Sequence, residues 1–337
     1  MIPPLLLNSL LSRKAIILQH SVPCKKKRRL AAVDSDPVLL ALCSCARILV
    51  HSSPVCAAET RMTATLDKKI AFIGAGVMAF ALAKGFVDSE RVKKEQVYML
   101  VRNETKRSLV EDLGYKSFQN IAGLADVDIV VISVKPQDAV QVLCDIRMVV
   151  DKEKHLLISI CAGLSLDTLA RALDPSALNR RICRVMPNTP SQVARGVSVF
   201  ALGEGCTDED RVTVESLMTA VGSCYRVQEK HIAAAGAISG SGPAFIFTLL
   251  EALSDAGVKN GLPRKLAQDL ALDMVEGSAA LARVEFGRRH FAELKDQVTS
   301  PGGTTIAGIA ALERWGFRNA IIQAIDATTD RAKDLDC

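Results

Sequence analysis

Between Lys68 and Gln228 the apolar positions come in short unbroken runs, not in alternation. Residues 69–73, 96–101, 128–134, 155–161 and 181–186 each read as a strand, with a short extended piece ending at Asn120. Two more short strands, 197–201 and 223–227, are predicted at the far edge of the sheet. A strand with one wet face would alternate apolar and polar residues. Continuous Val, Ile and Leu joined by helical stretches, here 77–87 and 106–113 among them, mean a parallel sheet covered on both faces. Residues 68–228 therefore read as a doubly wound α/β domain of the Rossmann type.

After Gln228 the strand signal stops and the spacing turns helical. Ser239-Gly-Ser-Gly-Pro243 predicts a helix start, with serine as cap and proline in the first turn. Ile246, Leu249, Leu250 and Leu253 then recur on one face, and Gly257 predicts the stop. Gly261-Leu-Pro263 opens a second helix carrying Leu266, Leu270 and Met274. Ser300-Pro-Gly-Gly-Thr-Thr305 opens a third, and a last one covers 318–333. Residues 229–337 are expected to form an all-helical domain.

Composition changes this picture at one end. Of 337 residues, 49% are hydrophobic and the mean hydropathy is +0.21, as in an Ala-rich enzyme with a real core. The net charge of +5 sits entirely in residues 1–60, which hold eight Lys/Arg against three Asp/Glu. The rest is balanced, so nothing in the body suggests a nucleic-acid footprint. Residues 1–67 read as a basic leader or extension outside the fold, with the block Lys25-Lys-Lys-Arg-Arg29. A transit peptide and a non-functional extension, with Met62 as working start, both fit. The compartment expected is cytoplasmic, or mitochondrial if residues 1–60 are a transit peptide. Ten scattered cysteines without a C-x-x-C pair, and five histidines at no ligand spacing, point to a reducing compartment and to no metal site. The apolar run 38–50 contains Arg47 and is too short to span a bilayer.

The chemistry begins at Ile73-Gly74-Ala75-Gly76-Val77-Met78-Ala79. A strand, a tight turn and a helix in the pattern G-x-G-x-x-A make a dinucleotide-binding turn. Gly74 allows the turn, Gly76 lets a pyrophosphate approach the backbone, and the helix N-terminus supplies N–H groups. Strand two ends on Arg102, followed by Asn103, Lys106 and Arg107. A carboxylate there would select the free ribose 2′-hydroxyl, whereas an arginine fork suits a 2′-phosphate. NADP(H) is therefore the cofactor expected, with NAD(H) possible; a solvated basic surface is the plain alternative. The loops after the other strands, at Asn120, Ser133-Val-Lys-Pro136, 159–163 and 186–190, should complete the cleft.

Three further stretches carry more information: Ile238-Ser-Gly-Ser-Gly-Pro-Ala-Phe245, Glu251-Ala-Leu-Ser-Asp-Ala-Gly-Val-Lys-Asn-Gly-Leu-Pro263 and Leu294-Lys-Asp-Gln-Val-Thr-Ser-Pro-Gly-Gly-Thr-Thr305. With the glycine turn, Val134-Lys-Pro136 and 186–190, they make residues 68–335 resemble the pyrroline-5-carboxylate reductases. The 294–305 segment is close to a family signature. The resemblance implies reduction of 1-pyrroline-5-carboxylate to L-proline, the last step of proline biosynthesis. It implies a homodimer with interleaved helical domains, often assembling to a decamer, and an active site between one chain's cleft and its partner's helices.

Carried onto this chain, the resemblance assigns cofactor contacts to Ile73, Gly74, Ala75, Gly76, Val77, Met78, Arg102, Asn120, Val134, Lys135, Pro136, Ile160, Cys161 and Ala162. Substrate contacts fall on Glu229, Val298, Ser300, Gly302, Gly303, Thr304 and Thr305, with Thr305 as the hydroxyl that orients the ring nitrogen and mediates its proton exchange. Gln297 stands where several relatives carry the asparagine that reaches the cofactor across the dimer, and Pro187 where some carry threonine. Without the resemblance, 300–305 reads as an ordinary Ser/Thr-Pro helix start, and Ser239–Gly242 as close helix packing. Two other classes stay open. A β-hydroxyacid or imine dehydrogenase needs a helix-borne catalytic lysine, for which Lys259 and Lys265 have no defensible spacing. A nucleotide sensor would not need the 300–305 loop.

Overall fold

The computed structural model describes residues 65–174 and 179–335. The leader expected over 1–67, with Cys24, Cys43, Cys45, Cys56 and Met62, lies outside the described residues except for its last three positions, and so does Cys337.

Eight strands form one sheet: β1 (Ile70–Ile73), β2 (Val97–Leu100), β3 (Lys116–Phe118), β4 (Ile129–Ile132), β5 (Leu156–Ser159), β6 (Ile182–Met186), β7 (Gly196–Leu202) and β8 (Gly222–Arg226). Their order is β3-β2-β1-β4-β5-β6-β7-β8. The chain thus winds outward from β1 in one direction, then returns and winds outward in the other. The reversal falls between β1 and β4, where a crevice opens at the C-terminal strand ends. Five helices accompany the strands: α1 (Val77–Asp88), α2 (Glu104–Asp112), α3 (Pro136–Ile146), α4 (Leu166–Leu173) and α5 (Asp208–Thr219).

Every residue of β1, β4 and β5 is buried, as unbroken apolar runs require. The two-residue period of a strand divides them between two cores. Ile70 and Phe72 face Leu82 and Phe86 of α1 and Val214 and Leu217 of α5. Ala71 and Ile73 face Leu143 and Ile146 of α3 and Leu169 and Leu173 of α4. Each fully buried Phe, Leu or Ile contributes about 1.5–3 kcal/mol of transfer free energy, so these two layers hold the crevice rigid. The expected parallel sheet is interrupted at one pair: β7 runs antiparallel to β6. Only residues 187–195 join them, which is shorter than a parallel crossover needs.

Beyond the sheet the chain forms α6 (Ile232–Ser239), α7 (Gly242–Lys259), α8 (Arg264–Glu285), α9 (Phe291–Gln297), α10 (Thr304–Arg314) and α11 (Phe317–Asp334). Ser239 is not a cap as expected. It ends α6, and its hydroxyl donates back to the Ala235 carbonyl at 2.9 Å. The residue before α7 is Ser241, and it makes no side-chain cap bond. Gly257 does not stop α7, which runs on to Lys259. An added Cβ at Gly257 would lie 2.8 Å from Ala267 Cβ, so this glycine serves the close crossing of α7 and α8. Helix α6 packs on β7 and on α11. Asn188 fixes that junction: its amide donates to the Ser239 carbonyl at 2.8 Å and its carbonyl accepts from Val197 N–H at 2.8 Å.

Among the described residues, 20 of the 28 exposed large apolar side chains lie after Gln228, while only Ile232, Ala237, Ala267 and Ala271 are buried apolar residues there. The helices therefore leave their apolar faces uncovered within one chain. Residues 229–259 are long and apolar enough, by length and composition, to cross a membrane. They comprise a 3₁₀ turn and two helices, the first of them packed on β7.

Candidate active site

The turn from β1 into α1 forms one edge of the crevice. Gly74 has φ +104°, and a Cβ there would lie 2.9 Å from the Ser133 carbonyl oxygen, so only glycine lets β1 and β4 end this close together. The Ser133 hydroxyl is shared between the carbonyls of Ile73 and Gly74, each 3.0 Å away. Gly76 has a different role. It is the N-cap of α1, with ordinary extended backbone, and an added Cβ would meet nothing within 4 Å. The first turn of α1 has no side-chain cap and no acidic residue, so its N–H groups point into open space.

A cleft of about 460 Å³ lies against this turn, lined by Ile73, Gly74, Ala75 and Val134. One wall carries Arg102, Asn103 and Lys106. Asn103 caps α2, its carbonyl oxygen accepting from Lys106 N–H at 3.0 Å, so α2 begins at Glu104 and not near Lys106. Arg107 turns away to Glu104 and Glu111. The opposite wall is one face of α3, with Gln137, Asp138, Gln141 and Asp145. Arg102 reaches across the mouth, Nη2 to Asp145 Oδ2 3.1 Å, and the other Asp145 oxygen accepts from Gln141 Nε2 at 2.8 Å. The α3 wall was not anticipated. The spacing 138, 141, 145 places these polar side chains on one helical face, which was the available signal.

The remaining expected cofactor residues stand at neighbouring strand ends. Val77 and Met78 open α1. Asn120 caps the following 3₁₀ turn, accepting from Ala122 N–H at 3.1 Å, and does not line the cleft. Lys135 is exposed at the N-cap of α3, with Pro136 as its first residue. Ile160 N–H donates to the Ile132 carbonyl, and the buried Cys161 thiol donates to the Val134 carbonyl at 3.3 Å, tying the β5 loop to the β4 loop. Burial pushes that thiol up to about 11, so it is a neutral hydrogen-bond donor at physiological pH and not a nucleophile.

Gln297 and the segment 298–305 do not line this cleft. Gln297 ends α9, and Val298 follows it, exposed. Ser300 to Gly303 form a turn in which Gly303 N–H donates to the Ser300 carbonyl at 3.0 Å and Gly302 takes φ +65°. Gly303 caps α10, again without a side-chain cap or an acidic first turn, and Thr304 and Thr305 are its first, exposed residues. Glu229 stands apart from both. Its carboxylate accepts from Leu166 N–H at 2.5 Å and from Arg184 Nη1 at 3.3 Å, beside a smaller cavity of about 280 Å³. Within one chain, then, the nucleotide-type cleft and the 298–305 segment are separate. Lys259 and Lys265 line neither cavity. Among the described residues no group of His, Cys, Asp or Glu gathers to hold a metal.

Comparison with known proteins bears on both halves. Residues 229–335 match the family described as pyrroline-5-carboxylate reductase dimerisation, and residues 69–163 match the family described as NADP oxidoreductase, coenzyme F420-dependent. The chain is 40% identical to a pyrroline-5-carboxylate reductase of Arabidopsis thaliana, over 79% of this chain and 95% of that protein. It is 36% identical to pyrroline-5-carboxylate reductase 3 of Mus musculus, over 81% of this chain and 99% of that protein. Among solved structures, the Plasmodium falciparum pyrroline carboxylate reductase with NADP bound aligns over 81% of this chain and all of that one, at 31% identity and TM-score 0.73. The Coxiella burnetii pyrroline-5-carboxylate reductase aligns over the same shares, at 32% identity and TM-score 0.73. With this identity running through both the sheet and the helices, the chain belongs to the pyrroline-5-carboxylate reductase family.

Proposed function

We propose that this protein reduces 1-pyrroline-5-carboxylate to L-proline with NADPH, the last step of proline biosynthesis, NADH serving less well. The observation that carries the reading is a pair of anion-ready helix starts, the two among the described α-helices whose N-cap is a glycine in extended backbone. Neither α1 at Gly76 nor α10 at Gly303 has a side-chain cap or an acidic residue in its first turn. The first suits a dinucleotide's phosphates and the second a small carboxylate.

The residues fit the cofactor. The empty space over Gly76 leaves room for a pyrophosphate against the N–H groups of α1, and Arg102 and Lys106 supply positive charge where a 2′-phosphate would lie. Val134, Lys135 and Pro136, with Ile160, Cys161 and Ala162, would hold the nicotinamide end. When bound, the nicotinamide supplies the hydride. The protein's own contribution is binding, orientation and electrostatics. Ser300, Gly302, Gly303 and Thr304 hold the substrate carboxylate at the start of α10, with Val298 closing the loop. The Thr305 hydroxyl holds the ring nitrogen, whose protonation makes the neighbouring carbon electrophilic. Glu229 is the last substrate contact proposed, from the family resemblance and not from nearness to the α10 turn; its carboxylate is bonded to Leu166 and Arg184.

The chain divides at residue 228 into a nucleotide domain and a helical substrate and dimerisation domain. The exposed apolar faces of the helices pair with a second copy, so each cleft is completed by the partner's 298–305 segment and Gln297, and dimers assemble to a decamer. No part spans a membrane, and the protein works in the cytoplasm, or in mitochondria if residues 1–60 direct it there.

The test is direct: the purified protein is mixed with NADPH and pyrroline-5-carboxylate, and loss of nicotinamide absorbance is followed. Turnover to proline is expected. Intact NADPH binding with no turnover would overturn the proposal in favour of a sensor.

A further inference from the structure

We propose that Asp145 sets how strongly this enzyme discriminates between the two nicotinamide dinucleotides, by tethering Arg102 across the cleft mouth. The inference rests on the reading of Arg102 as the ligand of the 2′-phosphate, and extends it to a second residue 43 positions away that no cofactor motif includes.

Arg102 does not wait free in solvent. It bonds to Asp145 Oδ2 at 3.1 Å, although its own side chain is 80% exposed. The carboxylate is held on its other side by Gln141 Nε2 at 2.8 Å, one helical turn earlier. Asp145 is therefore a fixed acceptor, and Arg102 is the member of the pair that moves. Helix stability favours an acid at this position only through the weak i, i+4 bond from Gln141. Asp145 occupies the last turn of α3, where the helix dipole disfavours negative charge, and no basic residue there offsets it. The pair also contributes little to the fold, because an ion pair this exposed is nearly balanced by solvation and side-chain entropy. What it does affect is the state of Arg102 when a nucleotide arrives.

A 2′-phosphate needs the arginine fork, so Arg102 must leave Asp145 before it can bind that group bidentately. A 2′-hydroxyl makes no such demand, and Arg102 can stay where it is. The cost of breaking the pair thus falls on NADPH alone. The tether narrows a preference that Arg102 and Lys106 together would otherwise make steep, and it leaves the cleft open to both cofactors. Asp145 acts through Arg102 and is a positioning residue.

The experiment is a double-mutant cycle in the full-length enzyme, with KM and kcat measured separately for NADPH and NADH. Asp145→Asn should lower KM for NADPH about two- to fivefold, the range expected for releasing one exposed ion pair, and leave KM for NADH in place. The gain should shrink as salt is raised, since salt screens the tether it removes. Asp145→Glu, which keeps the charge, should return KM for NADPH toward the wild-type value. Arg102→Ala should abolish the NADPH preference, and Asp145→Asn added to it should then change nothing. An NADPH gain that persists in the Arg102→Ala background would mean direct repulsion of the phosphate and would overturn the tether, as would Asp145→Asn with an unchanged cofactor ratio. If Arg102→Ala itself leaves the ratio unmoved, the reading of the cleft fails and the tether falls with it.

Discussion

Leu335 seats on Gly163: a methyl group built on Gly163 would come 2.4 Å from the Leu335 Cβ. The end of α11 thereby closes on the turn that follows β5, one residue beyond Ile160, Cys161 and Ala162. Gly163 also has φ +74°, which disfavours any side chain. Gly163→Ala should therefore destabilise the protein by about 2–4 kcal/mol, part backbone strain and part overpacking. Adding Leu335→Gly, which removes the Cβ that the new methyl would meet, should restore the packing share and leave the strain. Thermal unfolding of the two variants and the wild type measures both shares. A Gly163→Ala protein that melts with the wild type would mean the two residues do not touch.

The two glycines of the nucleotide turn should fail in different ways. Gly74→Ala places a methyl 2.9 Å from the Ser133 carbonyl at φ +104°, so it should lower the melting temperature and weaken NADPH binding together. Gly76→Ala meets no protein atom and needs no unusual backbone, so its melting temperature should stay put. Its methyl would instead stand where the pyrophosphate approaches, and NADPH affinity should fall about tenfold or more, a difference of roughly 1.4 kcal/mol. Calorimetry and fluorescence titration on both variants separate the effects. Unchanged affinity in Gly76→Ala would place the phosphates elsewhere.

Much of this architecture is legible in the amino-acid sequence. Unbroken runs such as Ile129-Val-Val-Ile132 mark doubly covered strands, because a strand with a wet face cannot afford four successive apolar residues. The direction of β7 is harder to read, since its apolar run fits either sense; the nine-residue link from β6 is the signal that it turns back. Helix α6 went unseen because Ile232-Ala-Ala-Ala-Gly-Ala-Ile-Ser239 is apolar all round and shows no period. Helix α9 is short and polar, and its cap is the His290 imidazole accepting from Ala292 N–H, which no common capping pattern announces. At the site, Gly74, Gly76 and Arg102 were readable from local chemistry. Asp145 was not, because it lies on a helix and its meaning depends on a partner at the end of β2.

Stability in acid should depend on one buried pair in the sheet domain. Asp210 is 1% exposed, and both its oxygens take donors from Arg181, at 2.5 and 2.9 Å. Burial alone would raise its carboxyl, but the bonds from Arg181 and from Thr207 outweigh that and hold it below the ordinary value of 3.8. A carboxyl depressed in the native state stabilises the fold fully above its unfolded value and loses that contribution as pH falls through the native one. Asp210→Asn should cost about 3 kcal/mol at neutral pH, leaving Arg181 partly buried without its partner. Below about pH 4 the wild type should lose its advantage, so the two melting curves converge. A gap that stays constant from neutral to acid pH would rule this pair out as a source of acid sensitivity.

The stripe Leu266, Leu270 and Met274 on α8 is 45, 52 and 48% exposed, and Leu281 and Val284 extend it. An apolar seam of this length needs a partner. Replacing Leu270 and Met274 together with Glu should convert the protein to monomers by light scattering. NADPH binding should survive, because the cleft at Gly74 belongs to one chain, while proline formation should collapse if the 298–305 segment comes from the other. Dimers that persist with both charges in place would move the interface off α8.

Thr305 is the residue whose loss should touch the imine and not the cofactor. It is exposed at the second position of α10, behind the Gly302-Gly303 turn, and lies outside the nucleotide cleft. Thr305→Ala removes a hydroxyl that would otherwise bond the ring nitrogen as charge develops there, so kcat/KM for pyrroline-5-carboxylate should fall about 10- to 100-fold. Thr305→Ser keeps the hydroxyl and should stay near wild type. Thr305→Val keeps the shape without the hydroxyl and should behave like Ala. NADPH affinity, measured without substrate, should be the same in all three. Wild-type turnover in the Ala variant, or an equal loss in the Ser variant, would remove Thr305 from the reaction and leave the α10 turn as a carboxylate site alone.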